Sequence, residues 1–383
     1  MRFSIKNNLT RRQIITGGFS FFALASAPLY FSNKETKAPH SLLLSAAKDK
    51  QGLHYLIAIT EQGQLYFKIP IAERAHDSIY NPLTQQAIFF GRSPSRHIYI
   101  VDIQGQPVLS VIKAPRQRHF YGHGVFDKEY RYLYTVENDV QKGLGLIGVY
   151  DSSADYKRIG EFSTGGIGPH QTILLSDNRT LVVANGGLLK SLPQSKSALS
   201  QNAFDSSLAY IDTQTGRVID RYKTAFKQLS LRHISCNERD DVFIGAQSYR
   251  ETDTPLLFSQ KYGRNLEPFI AEDTVWKSHN RYTASLVVKG DTLTLSSPRG
   301  NMISFWDVNE YRYLSSLYSP DAAGLAITPT HHPGSSQALS SQALYATNGS
   351  GAFMQLNTFT GAVIKRYNNE GLAWDNHLSF AYL

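Results

Sequence analysis

Two kinds of apolar run alternate along this chain. Short continuous runs such as Thr172–Leu175 (TILL) and Leu181–Ala184 (LVVA), split by the polar turn Ser176-Asp177-Asn178-Arg179, read as strands buried on both faces. Each such pair is followed by a strand, a turn carrying Asp or Asn and often Gly, and a second strand, which is the pattern of a hairpin. Tyr210–Tyr222 (YIDTQTGRVIDRY) and Gln355–Tyr367 (QLNTFTGAVIKRY) share Thr, Thr-Gly, Val-Ile and Arg-Tyr in register. Weaker copies lie at Tyr55–Ile69, Ile98–Ile112, Ile147–Phe162, Leu256–Ile270 and Ile303–Leu317, seven in all. Their spacing of roughly forty to sixty residues is that of propeller repeats.

Four strands per unit, seven units and no long amphipathic helix predict an all-β fold, a seven-bladed β-propeller over residues 41–383. The first strand, Leu42–Ala46, has no inner strand before it, and the last, His377–Leu383, has no hairpin after it. Pairing the two termini in one four-stranded blade closes the ring without an exposed sheet edge. Two stacked β-sandwiches are the alternative, and seven like units argue against them. Between Leu188 and Ser207 the chain becomes rich in Ser, Gln and Lys and loses its pattern, as expected of a loop inserted within a blade.

The N-terminus follows a different logic. Thr10-Arg11-Arg12-Gln13 precedes an uncharged apolar run from Ile14 to Phe31, which reads as a twin-arginine export signal over residues 1–31, with 32–40 as linker. Ala25-Ser26-Ala27 offers a cleavage site. Uncleaved, the run approaches the ~20 residues that span a membrane and would act as an anchor. The expected location is the periplasm.

Composition changes the picture in two places. Of 383 residues 42% are hydrophobic and 18% charged, which excludes a disordered chain. Cys236 is the only cysteine, so there is no intrachain disulfide, CxxC pair or Cys-based zinc knuckle. The net charge of +8 invites a nucleic-acid partner. Half of it, however, comes from Arg2, Lys6, Arg11 and Arg12 in the signal, and no basic stripe remains in the body, so nucleic-acid binding is not expected.

Aligned by blade, the opening residues of the inner strands become legible. They read His76-Asp77-Ser78, His123-Gly124-Val125, His170-Gln171-Thr172, His233-Ile234-Ser235 and His377-Leu378-Ser379. Two blades differ, with Tyr282-Thr283-Ala284 and Gly324-Leu325-Ala326. The inner strand of a propeller lines the axial channel, so five imidazoles at one phase could supply nitrogen ligands to iron, copper or zinc. Spacing fixes phase and not distance, and the bland alternative is a ring of hydrogen-bonded histidines around channel waters.

Loops joining the second and third strands should open on the same face. They carry Gly91-Arg92-Ser93-Pro94, Glu137-Asn138-Asp139, Asn185-Gly186-Gly187, Ser297-Pro298-Arg299-Gly300 and Asn348-Gly349-Ser350-Gly351. Arg92 and Arg299 could hold a carboxylate or a metal-bound anion, though ordinary turn chemistry explains the Gly and Asn residues as well. The dense segment Arg118-His119-Phe120-Tyr121-Gly122-His123 makes Arg118, His119 and Tyr121, with Glu137, candidates to support, tune or gate the site. Asp102, Asp151, Asp212, Asp307 and Asn357 recur at hairpin turns and read as structural.

No GxSxG, HExxH or Walker A motif is present. Gly165-Gly166-Ile167-Gly168-Pro169-His170 resembles the Gly/Pro-His segment of seven-bladed lactonases. That implies a hydrolase alternative with His170 as base and Arg299 on a carboxylate. The histidine-lined hub also resembles the copper site of nitrous-oxide reductases, without their cupredoxin domain.

Finally, RHFYGHGVF (Arg118–Phe126), TVEND (Thr135–Asp139), IGVYD (Ile147–Asp151), GIGPH (Gly166–His170), VVANGG (Val182–Gly187), LSLRH (Leu229–His233) and SSPRG (Ser296–Gly300) stand in one order. This set resembles a Tat-exported proteobacterial β-propeller family of unknown function, commonly encoded beside imelysin-like, iron-regulated proteins and a di-haem oxidoreductase-like protein. The resemblance implies a role in periplasmic iron, or copper, acquisition, with an imelysin-like partner and no known reaction. It carries over to His123, His170, His233 and His76, while His377 rests on the blade alignment alone. A non-catalytic docking scaffold for the imelysin-like partner is the remaining alternative.

Overall fold

The computed structural model describes residues 41–103, 108–188, 205–249, 253–328 and 343–383. The export signal, the linker and residues 189–204 of the inserted loop lie outside the described residues. Among the described residues no helix is long and apolar enough to cross a membrane.

The chain forms seven antiparallel sheets arranged as the blades of a propeller, as the hairpin count predicts. Blade 2 consists of Ala75–Asn81, Gln86–Gly91, His97–Asp102 and Val108–Lys113, and blade 3 of Arg118–Phe126, Tyr132–Asp139, Leu144–Asp151 and Lys157–Ser163. Blade 4 follows with Pro169–Leu174, Thr180–Asn185, Ser207–Asp212 and Arg217–Tyr222, and blade 5 with Leu229–Cys236, Val242–Ser248, Leu257–Gln260 and Glu267–Pro268. Leu286–Lys289, Thr292–Ser297, Met302–Asp307 and Arg312–Tyr318 form blade 6, and Ala322–Ile327, Leu344–Asn348, Ala352–Leu356 and Val363–Asn368 form blade 7.

Blade 1 joins the two ends of the chain. Ser41–Asp49, His54–Ile59 and Leu65–Ile71 supply its outer strands. Its inner edge comes from the C-terminus in two pieces, Leu372–Trp374 and Ser379–Tyr382, both paired with Ser41–Asp49. The inner strands then touch one another in an unbroken circuit from blade 2 through blade 7 to Ser379–Tyr382 and back to blade 2.

Burial explains the two kinds of apolar run. The second strand of blade 5, Val242–Ser248, is buried at every position because neighbouring blades cover both its faces. Outer strands face solvent on one side, and Lys157–Ser163 alternates between exposed and half-buried. The core therefore lies between blades. Leu43, Ile57, Tyr345 and Phe353 join blades 1 and 7, whereas Ile88, Ile100, Phe120 and Tyr150 join blades 2 and 3. A short helix, Asp273–Ser278, stacks Trp276 on Trp306 of blade 6 at 4.9 Å between ring centroids. Four of the five turn residues read as structural behave as such, and the turn after the fifth, Asp102, lies outside the described residues. Asp212, Asp307 and Asn357 each accept two backbone N–H bonds from the following turn, and Asp151 caps Ser153.

Candidate metal centre

Every inner strand that carries a histidine is irregular at that histidine. Blade 2 pairs Ala75 with Gly91 and Ser78 with Phe89, so one extra residue is fitted around His76 and Asp77. Blade 3 gains two residues between Phe120 and Gly124, around His123. His170 is the extra residue of blade 4, and Arg232, just before His233, is that of blade 5. In blade 1 the inner edge breaks between Trp374 and Ser379, the stretch that holds His377. A bulge re-aims side chains that a regular ladder would send to alternating faces. Here the bulges place five imidazoles together on the axis.

The convergence is tight. His76 lies 4.6 Å from His377 and 4.9 Å from His123 between ring centroids, and His123 lies 4.6 Å from His377. His233 lies 4.5 Å from His170 and 4.9 Å from His377. The wider pairs reach 6.1 Å (His76–His170) and 6.5 Å (His76–His233). An ion bonded to imidazole nitrogen at about 2.0–2.1 Å stands about 3.2 Å from the ring centroid. Rings at right angles around it are then about 4.5 Å apart, and opposed rings about 6.4 Å. The observed separations span that interval, the arrangement expected of rings converging on one point. Two nitrogen triads, from His76, His123 and His170 and from His123, His233 and His377, each fall within 4.8 Å and share His123. All five side chains are buried, at 7% exposure or less.

Two aspartates that sequence reasoning did not single out orient the ring. His123 Nδ1 donates to Asp77 Oδ2 at 2.8 Å, and His76 Nδ1 donates to Asp375 Oδ1 at 3.0 Å. Asp375 in turn binds Arg74, whose side chain is 40% exposed and reaches the surface. Burial by itself would raise both carboxyls. The imidazoles of His123 and His377 outweigh it at Asp77, and His76 and Arg74 outweigh it at Asp375, so both sit below the ordinary carboxylate range. Burial pushes the imidazoles of His76 and His377 below their ordinary value, so they are neutral at pH 7. With Nδ1 occupied as a donor, the Nε2 lone pair is the free end. Among the described residues, His123 Nε2 and His377 Nε2 are buried without a hydrogen-bond partner.

Glycines make room for this packing at two points. Gly122 has φ +103°, and a Cβ there would stand 2.8 Å from His76 Cδ2. Gly324, at the same phase of blade 7, lies against the His377 backbone, where a Cβ would come within 2.5 Å of its carbonyl carbon. Blade 7 therefore carries glycine at this phase to admit the chain that brings in His377, which Ser45 Oγ also holds by donating to the His377 carbonyl at 2.7 Å.

The supporting candidates divide. Arg118 pairs with Asp139 at 3.0 Å and with Glu161 at 2.8 Å, both within blade 3. Glu137 is fully buried and accepts from Thr135, Tyr150 and Arg158, again all of blade 3. Tyr121 packs with Tyr134, Val136 and Leu181 between blades 3 and 4. Arg118 and Glu137 thus brace blade 3 itself, and Tyr121 packs between blades 3 and 4. Burial, with the Arg96 charge, lowers His119, which is half-buried near the start of its strand. Arg92 meets Arg74 through a backbone bond of 2.8 Å. Arg299 is exposed, with its guanidinium 4.7 Å from the Tyr282 ring centroid. The Tyr282 hydroxyl accepts from Asn376, the residue between Asp375 and His377. Arg299 is thus linked to the residue beside His377 through Tyr282 and Asn376, while His170 stands in the ring itself.

A family described as protein of unknown function (DUF1513) matches residues 69–381. The chain belongs to that family. The match runs from the last strand of the first hairpin to the closing C-terminal strand and includes all five ring histidines, Asp77 and Asp375. For this DUF1513 chain, no curated protein gives a match.

Proposed function

We propose that this propeller binds a transition-metal ion at its axial hub through His76, His123, His170, His233 and His377, and that it serves iron or copper acquisition from the periplasm after twin-arginine export. The observation that carries the reading is the convergence of five buried imidazoles from five blades. Five side chains of a residue that fills apolar space poorly have a cost that water alone does not offset, whereas nitrogen donors of this kind suit iron, copper and zinc. Arg299 with Tyr282, Arg92 and His119 would line the access route, and an imelysin-like protein is the proposed partner. This context is drawn from the motif resemblance alone, and the family, one of unknown function, supplies no reaction.

The test is metal content by plasma mass spectrometry on untagged protein from the periplasm, beside a His123→Ala/His170→Ala variant. Near-stoichiometric iron or copper that is lost in the variant is the expected result. Protein that stays empty after anaerobic loading with Fe2+ and Cu2+ overturns it.

A further inference from the structure

The two aspartates repeat one device. Asp77 Oδ1 accepts the N–H of Ser78 at 2.8 Å and its Oδ2 takes the proton of His123, one blade onward. Asp375 Oδ1 accepts the N–H of Asn376 at 2.8 Å and the Nδ1 proton of His76, again one blade onward. Each carboxylate is pinned by its own backbone and reaches across a blade boundary to set the next imidazole. Asp375 differs in taking both bonds on Oδ1 and in carrying Arg74 as well, on Oδ2.

We propose that Asp77 and Asp375 are positioning residues that commit the hub to a divalent cation held by imidazole nitrogen, and the proposal rests on the metal reading above. Fixing Nδ1–H leaves Nε2 as the donor atom, and an anionic partner makes the imidazole a stronger base toward a metal. The charges act in the same direction. Two carboxylates and one guanidinium adjoin the ring, a local excess of one negative charge that favours a dication more than a monocation. In a buried site such fields are screened little.

The consequence is an order of affinities that a purely structural role would not give. Asp77→Asn removes one negative charge and one strong acceptor. Asp375→Asn does the same and also leaves Arg74 uncompensated beside the ring, so it is the more damaging change. Arg74→Gln/Asp375→Asn removes that uncompensated cation and regains part of the loss.

Purified full-length protein and the three variants are titrated with Co2+, read by its visible d–d spectrum, and with Ag+ as a monovalent probe that also binds imidazole. Far-UV circular dichroism checks that each variant is folded. Expected are a roughly 10- to 100-fold loss of Co2+ affinity in Asp77→Asn, a larger loss in Asp375→Asn and partial recovery in the double variant. Ag+ affinity should fall by a clearly smaller factor in Asp77→Asn, about 3- to 10-fold, because the same lost charge acts on half the ionic charge. Wild-type protein that binds Co2+ with all variants unchanged overturns the positioning role and leaves the metal reading standing. So does an equal loss of Ag+ and Co2+, or a double variant no better than Asp375→Asn. Wild-type protein that binds neither ion overturns both.

Discussion

Glu137 and Asp77 are both enclosed carboxylates near the inner half of a blade, and their partners separate their roles. Glu137 is met by the Arg158 guanidinium at 2.9 Å and the Tyr150 hydroxyl at 2.8 Å, inside its own sheet. Removing it strands a guanidinium and a phenol in a core that was built around them. Arg158 is partly exposed and also pairs with Glu161, so Glu137→Ala should cost about 3 kcal/mol, the low end for breaking a buried pair. Chemical denaturation measures that loss, and metal content after Co2+ loading should be unchanged. A variant of normal stability that loses metal would return Glu137 to the site. His279 offers a second contrast among histidines. It is fully buried behind blade 6, with Nδ1 donating to the Val275 carbonyl and Nε2 accepting from Ser304. Burial drives it from the ordinary 6.5 down to about 4. A histidine with a lowered folded value contributes stability above its unfolded value and loses it as pH falls toward the folded one. The stability difference between wild type and His279→Gln should therefore shrink by about 2–3 kcal/mol from pH 7 to pH 4.5. Parallel urea titrations at the two pH values measure it, and a difference that stays constant overturns the assignment.

Among elements, the inner strands carry the information, and their irregularities decide what they do. Gly324 sits where five other blades place a histidine or the bulge beside one, and the His377 backbone fills the space its missing side chain leaves. Gly324→Ala would put a methyl group 2.5 Å from the His377 carbonyl carbon and 2.7 Å from the Leu378 nitrogen, backbone atoms that cannot rotate away. Overpacking of this kind costs about 1–3 kcal/mol. Because the strand that must move carries His377 and Asp375, Co2+ affinity should fall along with the melting temperature. A variant that melts lower but binds as wild type would show that the C-terminal segment relaxes without moving the ring. The same strands explain what could be read from sequence. Hairpins and blade starts were legible because burial on two faces and turn chemistry leave local marks, and the phase of His76, His123, His170, His233 and His377 survived one long insertion. Asp77 and Asp375 were not legible as partners, because each binds a histidine supplied by another blade, and Asp375 and His76 stand at opposite ends of the chain. Tyr121 and Glu137 looked like site residues because they flank His123 in sequence or in the ladder. The two-residue bulge between Phe120 and Gly124 turns His123 inward and leaves Tyr121 in the core.

At the scale of the whole molecule, the five ring histidines come from blades 1 to 5, and among the described residues blades 6 and 7 contribute none. An ion at the hub would therefore cross-link five of seven blades, including the one that closes the ring. That closure depends on Leu372–Trp374 and Ser379–Tyr382 pairing with Ser41–Asp49, a contact between chain ends with no covalent continuity. His377 lies in the gap between the two C-terminal pieces, so a ligand bond there would hold the segment at the point where the ladder is interrupted. Binding to the folded state alone stabilises it by about 4 kcal/mol at a thousandfold excess over Kd. The distribution should be uneven. Amide hydrogen exchange with and without Co2+ should show the largest slowing in Ser379–Tyr382 and in the Ser41–Asp49 strand that receives it. The outer strands Arg312–Tyr318 and Val363–Asn368, on blades without a ring histidine, should exchange alike in both states. Uniform protection across all seven blades would instead indicate that closure is already secure in the apo protein and that the ion stabilises the ring only globally. Protection confined to blades 2 to 5 would mean that His377 is not among the ligands, and that the hub is a site of four imidazoles with its fifth position open toward the closing strand.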